Sequence, residues 1–451
     1  MILGIDLQMN PVGQKWRSLH GLVLGFFLLI LAGCASHSSK FAPIATDLAD
    51  NNIDQALELL DQENPPDRDK LLWLMNRGML LRLKGDYSAS NEEFVAAKRL
   101  VEQLDALSLR EQTLALTIND TTRSYAGAPY EQVLLNAYSA LNYLDLGEPD
   151  DARVEILQVN LRLAELADKE IGALSETDPF ASYLSGIIYE SGGEYSDAMI
   201  AYRGAYQAYQ EHGEHYPLNV PDPLKVDLLR SSERIGLTDE NRRYQELFGI
   251  SSWQTAEALQ QQGELIFLFH NGLAPVKIER SATFPIIGKG QLVSIALPEY
   301  LRRQPGFSSA RLLINGQVIV TTPVENIEEL AIAELSRNMP VIVARTVARA
   351  ALKYTTSHEV GKQSGLAGLV LNITNVLTER ADTRSWLSLP ADIQMARVPL
   401  PPGEYDLDVE LLDMGGLVAQ RINYPAVTLQ AGKKTFLSCR RIATMSLLGR
   451  K

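Results

Sequence analysis

LMNRGMLLRLKGDYSASNEEFVAA (residues 74–97) and GIIYESGGEYSDAMIAYRGA (residues 186–205) decide how the N-terminal half is read. The two stretches share one pattern. A small residue, Gly78 or Gly186, sits in a first apolar-periodic segment. A turn of glycine, acid and tyrosine follows, Gly85-Asp86-Tyr87 or Gly193-Glu194-Tyr195, and then a small residue and a bulky one: Ser90 and Phe94, or Ala198 and Tyr202. The 3.6-residue period on both sides of the turn predicts two helices packed side by side. Glycine supplies the turn at low steric cost. A missing Cβ in the first helix lets the second come close, and the bulky residue fills the gap.

A third, weaker unit reads Ala140, Tyr143, Gly147-Glu148-Pro149, Ala152, Ile156, and a half unit precedes them at Asn51, Ala56 and Leu60. The turn glycines lie 62 and then 46 residues apart, so the array is irregular, with an inserted helix expected near Asp105–Leu116. These spacings resemble the tetratricopeptide repeat (TPR) over roughly Ala49–Gln210. The positions that carry the likeness are Gly78, Gly85, Tyr87, Phe94, Gly186, Tyr189, Gly193, Tyr195, Ala198 and Tyr202. The resemblance implies a concave surface that binds a protein or peptide, without catalysis. The tyrosines from Tyr183 to Tyr209 are read as packing between helices, with a binding surface as the alternative.

After the turn-rich HYPLNVPDP (residues 215–223), helices resume to about Leu247, and beyond Trp253 the pattern becomes β. ELIFLFH (residues 264–270) predicts a buried strand, and Gln291–Leu297 another. Asn315-Gly316 between two apolar runs predicts a type I′ hairpin. In LPPGEYDLDVE (residues 400–410), alternation puts Tyr405, Leu407 and Val409 on one face, with strands at Ala426–Leu429 and Thr435–Arg440 to follow. This last part resembles small sandwich modules that bind or space. Between the strands, acids at Glu328, Glu329 and Glu334 precede bases at Arg337, Arg345 and Arg349, an order suited to helices that Pro340 starts or interrupts. The fold class expected is α+β: a TPR-like helical array over 45–250, then a β-sandwich-like domain over 251–445 with a helical insertion at about 327–380. Within that insertion the apolar run 364–377 is read as a buried hairpin, a membrane-surface segment or an oligomer contact.

The N-terminus carries a different signal. Lys15 and Arg17 precede the apolar run Gly21–Ala32, and Leu31-Ala32-Gly33-Cys34 follows it. This is the layout of a lipoprotein signal peptide, cut between Gly33 and Cys34 and lipidated on Cys34. Residues 1–33 are then leader and 34–44 lipidated cysteine and tether. Ala35, where aspartate would favour inner-membrane retention, points to the outer membrane, with the chain facing the periplasm. A multiply acylated cysteine anchors stably.

The formal net charge of −13 becomes −14 without residues 1–33, which argues against nucleic acid or anionic headgroups as main partners. Cys439 is the other cysteine; with Cys34 lipidated it has no partner for a disulfide and reads as a small buried hydrophobe. Serine-hydrolase, P-loop and zinc-protease spacings are missing from the sequence, so no catalytic residue, metal or cofactor is expected. Asp382-Thr-Arg384-Ser-Trp386 is the densest polar-aromatic motif. It allows Arg384 and Trp386 to bind a carboxylate or glycan, or else an internal Asp382–Arg384 lock with Trp386 plugging an interface.

The whole chain resembles a family of proteobacterial outer-membrane lipoproteins. The residues are Tyr130 with Ala137–Tyr143, Asp151–Glu155, Asn271–Lys277, Asp382–Trp386 with Leu389-Pro390, and Leu400–Tyr405. The resemblance implies a role in cell-envelope assembly. The expected function is a non-catalytic lipid-anchored scaffold that holds an envelope protein, with peptidoglycan binding through Arg384 and Trp386 as the alternative and an unrecognised envelope hydrolase as a lesser one.

Overall fold

The computed structural model describes residues 37–111, 123–168, 178–286, 291–363 and 380–442. Cys34 and its flanks, and the whole of the apolar run 364–377, lie outside them. The protein is α+β. Its first part is a succession of antiparallel helix pairs: α1 (His37–Ala49) with α2 (Ile53–Asp61), α3 (Lys70–Lys84) with α4 (Tyr87–Glu111), α5 (Pro129–Leu146) with α6 (Pro149–Asp168), α7 (Pro179–Ser191) with α8 (Tyr195–Gly213), and α9 (Asp222–Arg234) with α10 (Thr238–Phe248). A short α11 (Ala256–Gln260) leads into the strands.

Four of these pairs turn in the same way. Gly85, Gly147, Gly193 and Gly236 have φ between 76° and 87°, where L side chains are strained. At each, the glycine N–H and the next N–H fold back onto the preceding helix: Gly85 to Arg82 and Asp86 to Leu81, Gly147 to Leu144 and Glu148 to Tyr143, Gly193 to Glu190 and Glu194 to Tyr189, Gly236 to Glu233 and Leu237 to Ser232. This pair of bonds answers the carbonyls a helix end leaves open. The weak third unit thus shares the turn of the strong ones. The α9–α10 pair, expected as helices, shares this turn as well, although polar residues dominate both helices and hide its likeness to the other units.

The packing inside two pairs is close. A Cβ placed on Gly78 would fall 2.4 Å from the Phe94 ring, and one on Gly186 2.3 Å from the Tyr202 ring. Both rings are fully buried. Phe94, Ala198 and Tyr202 therefore sit where the repeat pattern places them, at the seam between paired helices.

Ten strands follow. β1 (Gly263–Asn271) is central in a four-stranded sheet of order β10-β1-β7-β6, with β6 (Thr322–Asn326), β7 (Asp392–Leu400) and β10 (Lys434–Arg441). β1 runs parallel to β10 and antiparallel to β7. A second sheet has the order β5-β4-β8-β9, from β4 (Ser309–Ile314), β5 (Gln317–Val320), β8 (Gly403–Leu412) and β9 (Val418–Leu429). Asn315 and Gly316 both have positive φ, as the tight hairpin between β4 and β5 requires. Tyr405 closes the Pro-Pro-Gly turn by donating to the Pro401 carbonyl at 2.7 Å.

Every residue of β1 is buried, because both faces of its sheet are covered. Leu265, Phe267 and Phe269 point one way, into a core shared with Leu312 of β4 and Leu407 and Val409 of β8. Ile266 and Leu268 point the other way, into a core shared with the helix pairs. A strand covered on both sides reads as one apolar run rather than an alternation, which is how ELIFLFH appears in the sequence.

β2 (Val276–Ile286) and β3 (Gln291–Leu301) form a separate long hairpin, and α12 (Ile327–Gln363) packs on β3. Together they make an arm beside the array. The structure corrects several expectations. α12 runs through Pro340 without a break. Its start is capped by Asn326, whose Oδ1 accepts from Glu329 N at 3.0 Å, and Arg302 pairs with Glu328 and Glu329. The inserted helix near Asp105 is, as far as Glu111, a continuation of α4. The tether expected up to residue 44 is helical from His37, because Phe41, Ile44 and Leu48 fall on one face and dock against α2 and α3. Helix also persists to Gln260, beyond the boundary expected at 250.

Gly186→Ala forces the new methyl into the Tyr202 ring, so chemical denaturation of that variant should show a loss of about 1–3 kcal/mol. The double variant with Tyr202→Leu should recover part of it.

Candidate functional site

In a repeat array the partner is expected on the concave side, along the first helix of each pair. Here that side is occupied. α5 is buried from Tyr130 to Asn142 and α7 from Pro179 to Tyr189 except at Ser182, and the outer face of the first sheet lies against them. Tyr138 of α5 meets His270 of β1, Oη to Nδ1 at 3.1 Å, and Tyr209 of α8 donates to the Val324 carbonyl of β6 at 2.7 Å. The chain places its own sheet where a repeat array would hold a peptide.

A buried charge cluster fastens this junction. Arg397 of β7 grips Glu264 of β1 with two donors, Nε to Oε1 at 2.8 Å and Nη2 to Oε2 at 2.9 Å. It also pairs with Asp227 of α9, and reaches Glu190 of α7 at 3.3 Å. Lys434 of β10 lies 2.5 Å from Glu264 and 3.1 Å from Glu190, and Arg230 lies 3.3 Å from Asp227. Tyr183 and Tyr202 donate to Asp227 and Glu190, each at 2.8 Å. Three cations thus meet three carboxylates. Burial alone would raise the Glu190 carboxyl, but Lys434 and Arg397 outweigh it and hold it at about 2. Glu264 is likewise held well below the usual range, burial being overcome by Arg397 and Lys434. Asp227 goes up, because its burial outweighs the pull of Arg397 and Arg230.

A second fastening surrounds the polar-aromatic motif. Arg384 donates to both Asp382 oxygens at 2.9 and 2.7 Å, to Asp69 at 2.9 Å and to the Arg123 carbonyl at 3.0 Å. Trp386 is 1% exposed, with Phe94 and Tyr138 edge-on to its ring at 6.0 and 6.1 Å. Its Nε1 donates to Ser388 Oγ, and its backbone N donates to Glu131 at 2.7 Å. Glu131, fully buried in α5, also accepts from Tyr125 and from Ala128 N. This is the internal lock. The alternative, a Trp386 ring stacking on glycan, is corrected by the burial of that ring between α4, α5 and the first sheet.

Gly85, Gly193, Tyr87 and Tyr195 lie at the turns. The Tyr195 ring carries the Arg234 guanidinium 3.8 Å above it, and Tyr189 accepts a hydrogen bond from Asn160 at 2.9 Å. His212 is buried against Tyr216 at 2.6 Å, whereas His215 is in contact with Arg337, so the two histidines do not converge. Among the described residues no group of three His, Cys, Asp or Glu is placed to hold a metal. No helix among them is long and apolar enough to cross a membrane.

What stays open is a cleft of about 680 Å³ between the array and the arm. Its walls come from the loop 123–128 and Tyr130, from Lys277 and Tyr300 of the hairpin, and from Glu334 to Arg349 of α12. Arg123, Lys277, Arg345, Arg349 and Arg384 face Glu334 and Asp382 there, so base outnumbers acid in an otherwise acidic chain. The sequence reading missed Glu131, Asp227, Glu264 and Arg397. The available signal was a charge inside an apolar stretch, as in ARVPL (residues 396–400).

Removing one partner of a buried ion cluster strands the others, so Arg397→Met should cost about 3–5 kcal/mol of unfolding free energy. Unfolded glutamate titrates near about 4.3, above the folded values of Glu190 and Glu264. Their contribution is therefore present above pH ~4.3 and lost as pH falls toward about 2. Denaturation curves across that window should show acid destabilisation that Glu190→Gln reduces.

No protein-family model and no curated protein matches the chain. Among solved structures, MamA AMB-1 is similar over 47% of this chain and 92% of its own, at 15% identity and a TM-score of 0.26. MamA MSR-1 is similar over 47% and 95%, at 12% identity and the same TM-score. A superposition that loose carries no argument about this chain.

Proposed function

We propose that the protein is a non-catalytic, lipid-anchored scaffold of the outer membrane. It would face the periplasm, with TPR-like helix pairs and a sandwich-like pair of sheets, and bind a protein in cell-envelope assembly or maintenance. The observation that carries the binding role is the cleft between array and arm. Three separate parts of the chain wall it, and five basic side chains line it. The partner goes there rather than into the repeat groove, which the first sheet fills. The basic lining favours an acidic segment of that partner. Support for the anchor comes from the sequence, from Leu31 to Cys34 behind an apolar run. α1 begins at His37 and is docked on the array, which would hold the body close to the lipid surface.

Two experiments test this. A photo-crosslinking residue at Asn338, in the cleft, should capture a discrete protein in living cells, and one at Arg242, on exposed α10, should not. Equal capture at both positions, or capture at neither, would sink the cleft reading. Separately, Cys34→Ala should abolish incorporation of labelled palmitate and shift the protein out of the membrane fraction. Unchanged labelling would sink the anchor.

A further inference from the structure

A second cavity, of about 350 Å³, lies on the other side of the junction, between the turn joining α1 and α2, helices α3 and α5, and the edge of the first sheet at β10. Its size is within the range of small-ligand pockets. From the geometry we infer that this cavity binds a small phosphate-bearing anion.

His270 is 3% exposed and lines the cavity. Its Nδ1 is engaged by Tyr138, and its Nε2 is buried with no hydrogen-bond partner. With Tyr138 as the donor, the proton of a neutral imidazole sits on Nε2, as a donor. Arg440 stands beside it in the lining. Nη2 donates to the Ser388 carbonyl at 3.0 Å, while Nε is buried without a partner. No carboxylate among the described residues is within salt-bridge distance of Arg440. The nearest acidic influence, Asp392, has its oxygens engaged by Asn271 and Gln394. Arg441 also lines the cavity, and its Nη1 is turned to the Arg440 carbonyl.

The remaining charges do not cancel this demand. Arg82 is neutralised by Asp145 at 2.8 Å and also donates to Asn142 and Ser438. Ser438 Oγ accepts from Arg82, which leaves its own proton to give. Asp50, exposed at the α1–α2 turn, is the carboxylate in the lining. Burial, reinforced by Arg82 and Arg440, holds His270 well below its ordinary range, and burial with Arg82 brings Arg440 down to about 10. Burial leads both shifts, and the Arg82 guanidinium adds to each. A carboxylate sets its acceptors on two coplanar oxygens; a phosphate sets three oxygens tetrahedrally, one each for the Arg440 Nε, the His270 Nε2 and the Ser438 hydroxyl.

The test is titration calorimetry of the full-length protein in neutral detergent with glycerol phosphate, with succinate as the carboxylate comparator. One saturable site for glycerol phosphate is expected, weakened about tenfold or more by Arg440→Lys and by Arg441→Ala, since ammonium and methyl lack the guanidinium fork. Arg242→Ala, on exposed α10, should bind as the unaltered protein does. Arg441→Ala sits at the partly exposed rim and keeps the test sharp if Arg440→Lys does not fold. No saturable heat up to about 10 mM, well beyond millimolar affinity, would overturn the inference. So would binding of succinate alone. Binding of phosphatidylglycerol vesicles without the soluble ester, lost in Arg441→Ala, would overturn the small-ligand assignment in favour of a headgroup.

Discussion

A guanidinium shut between a sheet and a stack of helices has to be neutralised where it stands, and Arg397 is neutralised from both sides. Glu264 comes from the sheet, and Asp227 and Glu190 from two different helix pairs. Desolvating six charged groups is expensive, and an apolar junction of the same shape would be as stable or more so. What the cluster contributes is position. Each cation has one arrangement in which all its acceptors are met, so the sheet cannot slide along the array without leaving a charge stranded. The Glu131 and Arg384 fastenings set the same relation at the other end of the sheet, where the backbone N–H of Trp386 and Ser388 are held by Glu131 and Asn76.

That constraint governs where binding can occur. The concave face of the array and the outer face of the first sheet are each other's partner, which removes from use the surface such repeats ordinarily offer. Openings remain at the borders of the junction, among them the cleft toward the arm and the smaller cavity near His270. Both are lined more by base than by acid, although the chain as a whole is acidic. Positive potential in recessed sites on a negative body attracts anionic groups to those sites and away from the rest of the surface.

Much of the architecture was legible because short-range physics dictates it. Gly85 and Gly193 are needed for a left-handed turn, Gly78 and Gly186 for a close approach, and ELIFLFH for a strand covered on both faces. Asn315-Gly316 specified its hairpin through backbone conformation alone. The α9–α10 pair was legible as helices running to about Leu247, but not as a repeat unit, because its apolar faces are thin and it lacks the bulky seam residue of the other pairs. The continuity of α12 through Pro340 depends on packing against β3, which no local pattern reveals. Arg384 and Trp386 show the same limit. Their types suit a glycan site and an interior lock equally well, and only the arrival of Asp69, Glu131 and Phe94 from elsewhere in the chain decides between them. The cluster around Arg397 is assembled from residues spread over more than half the sequence.

The parallel pairing of β1 with β10 imposes an order of events. Glu264 pairs in register with Lys434, 170 residues further along, and β10 forms an edge of the sheet that covers the array. Contacts so distant in sequence close late, after the loop entropy between them has been overcome. Until residues 434–441 arrive, Glu264 and Glu190 lack one of their cations, and the cavity at His270 lacks its Arg440 wall. The helix pairs therefore spend a period of every synthesis with their apolar concave face uncovered. In that interval the array has the open groove that the finished protein lacks, and it is then that it most needs protection from other chains.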